Sequence, residues 1–131
     1  MLDTNVISDF VRGERRVLAR VKASRPDLLA VSTVTVTEIE YGLALQVVRA
    51  RRLRPLLEAL IGNVAVLPFT SADAAAAAGA RAALRRSGGP IGPYDVLLAG
   101  CALARGLVLV TANTDELARV DGLVVEDWRE S

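Results

Sequence analysis

The chain contains no histidine. That zero excludes Ser-His-Asp and Cys-His triads, His-based acid–base catalysis and HExxH zinc sites. Any hydrolytic chemistry must therefore be run by carboxylates, with a metal as their most plausible helper. A lone cysteine, Cys101, excludes an internal disulfide and fits a reducing cytosol. Lysine is reduced to Lys22, so the other fifteen of sixteen cations are arginine. The aromatics are Phe10, Tyr41, Phe69, Tyr94 and Trp128, too few to lay down a stacking platform for single-stranded nucleic acid. No apolar run approaches the roughly 18 residues of a membrane span. No basic n-region followed by an apolar stretch and a small-residue cleavage site marks a secretory leader. The expected location is the cytoplasm, with no membrane partner. A net charge of +1 leaves bulk electrostatics uninformative about nucleic acid.

What is present is an apolar fraction of 52% over 131 residues, enough for one domain with one well-buried core, assigned to residues 1–131. Met1-Leu2-Asp3-Thr4-Asn5-Val6-Ile7-Ser8 reads as a strand end, a tight turn and a helix starting at Thr4 or Asn5. Residues 28–36 read as a strand ending near Thr33 or Val34. Thr35 is then an N-cap, with Glu38 three residues on as a capping box. Val36, Ile39, Leu43 and Val47 continue one apolar face. Leu53, Leu56, Leu57 and Leu60 predict a further helix with Pro55 near its first turn. A strand at 64–69, an alanine-rich helix to about Arg86, a glycine-proline loop and a helix from about Tyr94 to Arg105 follow. The chain closes with a buried strand at 107–111, a turn or two of helix from Asn113 and a strand at 123–125. Strands alternating with helices predict an α/β fold on a parallel sheet.

That order puts acids at strand-to-helix junctions: Asp3, Glu38, Asp95, and the pair Asp115 and Glu116. In open α/β sheets such junctions gather at the carboxyl edge, where ligands bind. Like charges a few Å apart repel by several kcal/mol at an effective dielectric of about 20. A fold that collects them without basic partners implies protonation or a bound cation. Oxygen ligands select Mg²⁺ or Mn²⁺, and such an ion suits phosphodiester hydrolysis. Helix first turns favour acids on their own account, so Glu38 and Asp95 remain open to a capping role. Asp3 is less easily read as a cap, since Thr4 or Asn5 could serve.

The opening octapeptide is very similar to the start of PIN-domain proteins, especially VapC-type toxins of toxin–antitoxin pairs. Residues 32–42 (STVTVTEIEYG), 91–99 (IGPYDVLLA), 107–117 (LVLVTANTDEL) and 122–128 (GLVVEDW) resemble later blocks of that family, in family order and over nearly the whole chain. The resemblance implies a three-layer sandwich around a parallel sheet of four or five strands. It also implies a Mg²⁺-dependent endoribonuclease, Mn²⁺ substituting, that forms a homodimer, is neutralised by a cognate antitoxin and enters a larger toxin–antitoxin assembly.

Carried over residue by residue, Asp3 and Asp95 become metal ligands and Glu38 completes the pocket, with Thr4, Asn5, Thr111 and Asn113 in support. Many relatives have Asp where this chain has Asn113, so Asp115 or Glu116 is expected to supply a fourth carboxylate, with Asn113 left the alternative of holding a metal water by its amide oxygen. Only two residues precede Asp3, whereas relatives often have more, which predicts a short first strand or a start upstream of Met1. Arg12, Arg49, Arg51 and Arg52 are the candidate RNA contacts, weighed against a plain solvated helix face. Tyr41 and Tyr94 are expected to pack beside the pocket, Gly42 and Gly100 to mark close packing, Cys101 to lie in the core and Trp128 to anchor the last strand. A receiver domain is excluded by the place of Lys22, and a haloacid-dehalogenase phosphatase by Asn5. The rivals left are a structure-specific DNA nuclease of the same fold and a degenerate PIN module that only binds a partner.

Overall fold

In the computed structural model, which describes residues 1–130, three residues at the start of the chain join two halves of a sheet. One half pairs β1 (Ala30–Ser32) in parallel with β2 (Ala65–Leu67). The other pairs β3 (Leu109–Val110) in parallel with β4 (Val125–Glu126). Between them the Leu2 amide donates to the Ala30 carbonyl at 2.8 Å, and the Asp3 amide to the Val110 carbonyl at 2.9 Å. Leu2 also forms a parallel bridge to Val110. The spatial order is thus β2, β1, residues 1–3, β3, β4. The expected parallel sheet of four or five strands is present, with a very short central member.

Helices cover both faces. On one lie α1 (Thr4–Val11), α2 (Arg15–Ala23), α3 (Thr33–Leu45) and α4 (Val47–Ile61), around a core of Leu2, Ile7, Val17, Val31, Leu57 and Trp128. On the other lie α5 (Ser71–Arg86), α6 (Pro93–Arg105) and the short α7 (Thr114–Leu117), around Met1, Leu84, Val96, Leu98, Leu109 and Leu117. Met1 and Leu2 enter opposite cores because successive strand side chains point to opposite faces. Each large side chain buried this way contributes roughly 1.5–3 kcal/mol. Gly106, at φ +64°, ends α6 in the left-handed conformation that glycine adopts without penalty. Among the described residues no helix is long and apolar enough to cross a membrane.

Several local expectations fail for identifiable reasons. β1 ends at Ser32, whose hydroxyl accepts from the Val34 amide, so Ser32 and not Thr35 caps α3. The Thr35–Glu38 capping box does not exist, and Glu38 sits in the second turn. β-Branched residues 33–36 look like strand, but a good cap and tertiary packing outweigh that weak preference. Pro55 lies mid-helix, because α4 begins at Val47 rather than near Leu53. The arginine-rich stretch ahead of Leu53 is itself a good helix former. Val47 is exposed and belongs to the next helix.

Gly42 is exposed with open space where a Cβ would go, so it marks no close packing. Gly100 does: a Cβ there would stand 2.5 Å from the Ala77 Cβ. Tyr41 and Tyr94 are 66% and 49% exposed, and neither lines the groove that contains Glu38. Cys101 is buried, as expected. Trp128 is buried too, its indole donating to Glu126 and the Arg20 guanidinium lying over its ring.

Candidate active site

Asp3 leaves the central segment just as the chain turns into α1. Its carboxylate is 3% exposed yet accepts three hydrogen bonds. Oδ1 takes the Thr4 amide at 2.6 Å, which makes Asp3 the N-cap of α1, a role expected of Thr4 or Asn5. Oδ2 takes the Thr111 hydroxyl at 2.8 Å and the Asn5 side-chain amide at 3.3 Å. Asn5 in turn accepts from the Ala112 amide at 3.0 Å. The start of α1 is thereby locked to the end of β3. A buried carboxylate must have such donors, because leaving one unsatisfied costs about 1–3 kcal/mol or more.

Glu38 reaches this edge from α3, and its Oε1 accepts from the Thr4 hydroxyl at 2.9 Å. Asp95 stands in the first turn of α6, after the glycine-proline loop. The Asn113 side-chain amide donates to Asp95 Oδ2 at 2.9 Å and to Glu116 Oε2 at 3.1 Å. Glu116 therefore belongs to the group. Asp115 is exposed and bonds to none of its members, so of the two candidates the structure brings only Glu116 to this edge. Glu38 Oε2, Asp95 Oδ1 and Glu116 Oε1 accept no hydrogen bond from the described protein.

The electrostatics agree with the geometry. Burial, first, raises the Asp3 carboxyl above its ordinary value, although its three donors oppose the shift. Burial also raises Glu38, with the negative charges of Asp3 and Asp95 adding to it. Asp95 is raised by burial, then by Asp3 and Glu116. Ion pairs occur elsewhere, but none among the described residues reaches Asp3, Glu38, Asp95 or Glu116. Among the described residues no three acids stand together as a ready-made metal cage. Uncompensated like charges stand apart, and neutral donors (the Thr4 hydroxyl and the Asn113 amide) occupy one oxygen of each outer carboxylate. Three oxygens of these carboxylates are left without a hydrogen bond, and hard oxygen donors are the kind that Mg²⁺ takes.

The arginines divide. Arg12 and Arg49 line the same groove as Glu38, a cleft of about 360 Å³ walled by Ile7, Leu43, Leu53 and Leu57 between α1, α3 and α4. Arg51 and Arg52 lie on the exposed side of α4 and do not line it. Arg12 also pairs with the buried Asp9. Two features escaped sequence reading. One is the apolar groove, signalled only faintly by Ile7 and Val11 recurring with Leu43 and Leu53. The other is the pair of hydrogen bonds that the Asn113 amide donates to Asp95 and Glu116, which no spacing rule reveals.

A parallel sheet with helices on both faces, and acids of four segments at one edge, define the PIN class. The family model described as PIN domain matches residues 1–123, and the chain belongs to that family. Within it the similarity runs to the VapC ribonucleases. The chain is 35% identical over 128 residues to the tRNA(fMet)-specific endonuclease VapC of Shigella flexneri, covering 98% of this chain and 96% of that one. It is 33% identical to a VapC ribonuclease of Sinorhizobium fredii, with the same coverage. Among solved structures it resembles DNA-bound VapBC from Salmonella typhimurium, at a TM-score of 0.88, 34% identity, and coverage of 98% and 96%. FitAcB from Neisseria gonorrhoeae follows at a TM-score of 0.86 and 28% identity, covering 99% and 98%.

Proposed function

We propose that this protein is a Mg²⁺-dependent endoribonuclease, the toxin half of a toxin–antitoxin pair, in which Mn²⁺ can substitute. One observation carries the reading: Asp3, Glu38, Asp95 and Glu116 line one sheet edge, where burial raises the first three carboxyls and like charge adds to it at Glu38 and Asp95. Glu38, Asp95 and Glu116 each keep an oxygen without a hydrogen bond, and no ion pair among the described residues reaches any of the four. Such an arrangement is destabilising unless a cation is part of it. Asp3, Glu38 and Asp95 would hold the ion, and Glu116 would complete the set. When bound, Mg²⁺ supplies Lewis acidity toward a phosphoryl oxygen and lowers the pKa of water. The protein's part is to fix the donors. Thr4, Asn5 and Thr111 hold the Asp3 carboxylate in one orientation, and the Thr4 hydroxyl aims Glu38. With no histidine as base, metal-activated water is favoured over attack by a neighbouring 2′-hydroxyl.

RNA is the substrate class supported by the ribonuclease relatives, and a tRNA is the first one to assay, given the tRNA specificity of the Shigella protein. The solved neighbours are toxin–antitoxin complexes, which supports a cognate antitoxin here as well. The groove beside Glu38 suits an amphipathic antitoxin helix, its apolar side on Leu43, Leu53 and Leu57 and a basic residue turned toward the acids. A homodimer within a larger toxin–antitoxin assembly, in the cytoplasm, completes the reading.

The test is cleavage of matched RNA and DNA oligonucleotides with Mg²⁺ or with EDTA. RNA is cut only with the metal, and Asp3→Asn abolishes cutting while remaining folded. Parental cleavage by that variant would remove the assignment, and preferential cutting of DNA would replace the substrate.

A further inference from the structure

The Asn113 side chain is committed to the acids. Its amide nitrogen carries two hydrogens, and the two bonds, to Asp95 Oδ2 at 2.9 Å and Glu116 Oε2 at 3.1 Å, use both. Turning the amide over would set its oxygen against two carboxylates, so charge fixes its orientation. Position 113 is also the N-cap of α7, yet its side chain makes no capping bond. The usual reason for an asparagine at such a position is therefore absent. Its backbone amide donates to the Thr111 hydroxyl at 2.9 Å, and that hydroxyl donates to Asp3 Oδ2 at 2.8 Å. Asn113 thus touches, directly or through one hydroxyl, three of the four acids.

We infer that Asn113 is a positioning residue for the metal: its neutral amide yokes Asp95 to Glu116, so that Glu116 supplies the carboxylate that position 113 itself does not. An aspartate at 113 would bring a third charge up to the other two and could donate to neither. The asparagine does the opposite, because each donated hydrogen offsets part of the repulsion between Asp95 and Glu116 and leaves one oxygen on each for an ion. Asn113 acts through those carboxylates and is not a catalytic residue in its own right.

This rests on the Mg²⁺ reading above, and its test reads metal binding instead of cleavage. Mg²⁺ affinity is measured by calorimetry on the intact chain as a double-mutant cycle. Asn113→Ala should weaken Mg²⁺ binding by roughly 10- to 100-fold, the usual effect of losing a partner of a metal ligand, and Glu116→Gln, which removes a ligand's charge, by at least as much. The double variant should bind no more weakly than the poorer single one, because both changes remove the same contribution. Multiplying effects would overturn the inference. So would unchanged Mg²⁺ affinity in Asn113→Ala alongside a lowered melting temperature in EDTA, which marks a purely structural residue.

Asn113→Asp gives a second route that keeps side-chain size and capping preference. In that background Glu116→Gln should cost far less Mg²⁺ affinity than in the parent, since the new carboxylate takes over. An equal cost in both backgrounds would also overturn the inference. A parent that binds no Mg²⁺ removes the metal reading itself, and this inference with it. The cycle outcomes remove the yoke alone.

Discussion

Two buried acids, one facing Asp95 at the start of α6 and the other paired with Arg105 at its end, show what separates a structural carboxylate from a reactive one. Asp73 is 1% exposed and Asp3 is 3% exposed, so burial does not distinguish them. Asp73 lies in the first turn of α5, where it closes a capping box with Thr70 and pairs with Arg105 at 3.0 Å. Burial alone would raise its carboxyl, but the Thr70 amide and the Arg105 guanidinium hold it below its ordinary value. Asp3 has donors in plenty but no cation, and its carboxyl is raised. The missing element at Asp3 is a positive charge. Hydrogen bonding satisfies a lone pair, but it does not neutralise a group whose neighbours are also acids.

The largest effect on stability should come from the contact where the helices bearing these two environments meet. Gly100 of α6 lies against Ala77 of α5, and a Cβ there would fall 2.5–2.7 Å from Ala77 side-chain and backbone atoms. Backbone cannot yield as a flexible side chain does. Gly100→Ala should therefore cost about 1–3 kcal/mol or more, read by urea unfolding. It should also weaken Mg²⁺ binding, because α6 carries Asp95. Loss of stability with unchanged Mg²⁺ affinity would show that the two environments are mechanically independent.

Next in size is the cap itself. Thr70→Ala removes the hydroxyl that accepts from the Asp73 amide, and should cost about 1 kcal/mol. Mg²⁺ affinity and cleavage per folded molecule should stay at parental values. A loss of metal affinity here would mean that the structural acid is not structural alone.

Which acids share an edge was legible in the order of segments, because strand-end placement follows from alternation and parallel pairing. Asp3, Glu38 and Asp95 needed nothing more. What was not legible depended on side-chain rotamers and on competition between weak local preferences. Thr33 to Val36 carries a strand-like run, and only Ser32 acting as a cap makes it helix. Pro55 resembled a helix start because proline is tolerated there, but a 15-residue helix packed through Leu57 and Leu60 absorbs its missing donor. Glu116 and Asp115 are adjacent and alike in chemistry. Only the turn of α7 sends one to Asn113 and the other to solvent. Gly42 and Gly100 looked equivalent, and only the approach of α5 separates them.

Acidity should separate the two environments without mutation. Asp3, Glu38 and Asp95 bind protons more tightly folded than unfolded, so without metal their ionisation costs stability at neutral pH. That cost is relieved as pH falls through their raised values toward the ordinary 3.8 of Asp and 4.5 of Glu. Asp73 has the opposite sign. Its contribution is complete above 3.8 and is lost only as pH falls through its lowered value. Melting temperature in EDTA should accordingly rise for the parent relative to Asp3→Asn between neutral pH and about pH 4.5, while the Asp73 contribution stays flat. Mg²⁺ should flatten or reverse that slope by stabilising the ionised forms. A slope unchanged by Mg²⁺ would mean that the ion binds elsewhere.

The smallest effect concerns the cations that stand near the unpaired acids without neutralising them. Arg12 and Arg49 border the groove that contains Glu38, whereas Arg51 and Arg52 face solvent on α4. If the RNA backbone enters along that groove, Arg12→Gln with Arg49→Gln should lower the slope of log affinity against log salt by about 2, one for each phosphate no longer neutralised. Arg51→Gln with Arg52→Gln should leave it unchanged. Melting temperature should hardly move for the second pair, and should fall modestly for the first because Arg12 also pairs with Asp9. Equal slopes for the two pairs would return Arg12 and Arg49 to the solvated helix face. A larger change from Arg51 and Arg52 would move the RNA path to the outer side of α4, where their removal acts on phosphate binding at a distance from the carboxylates.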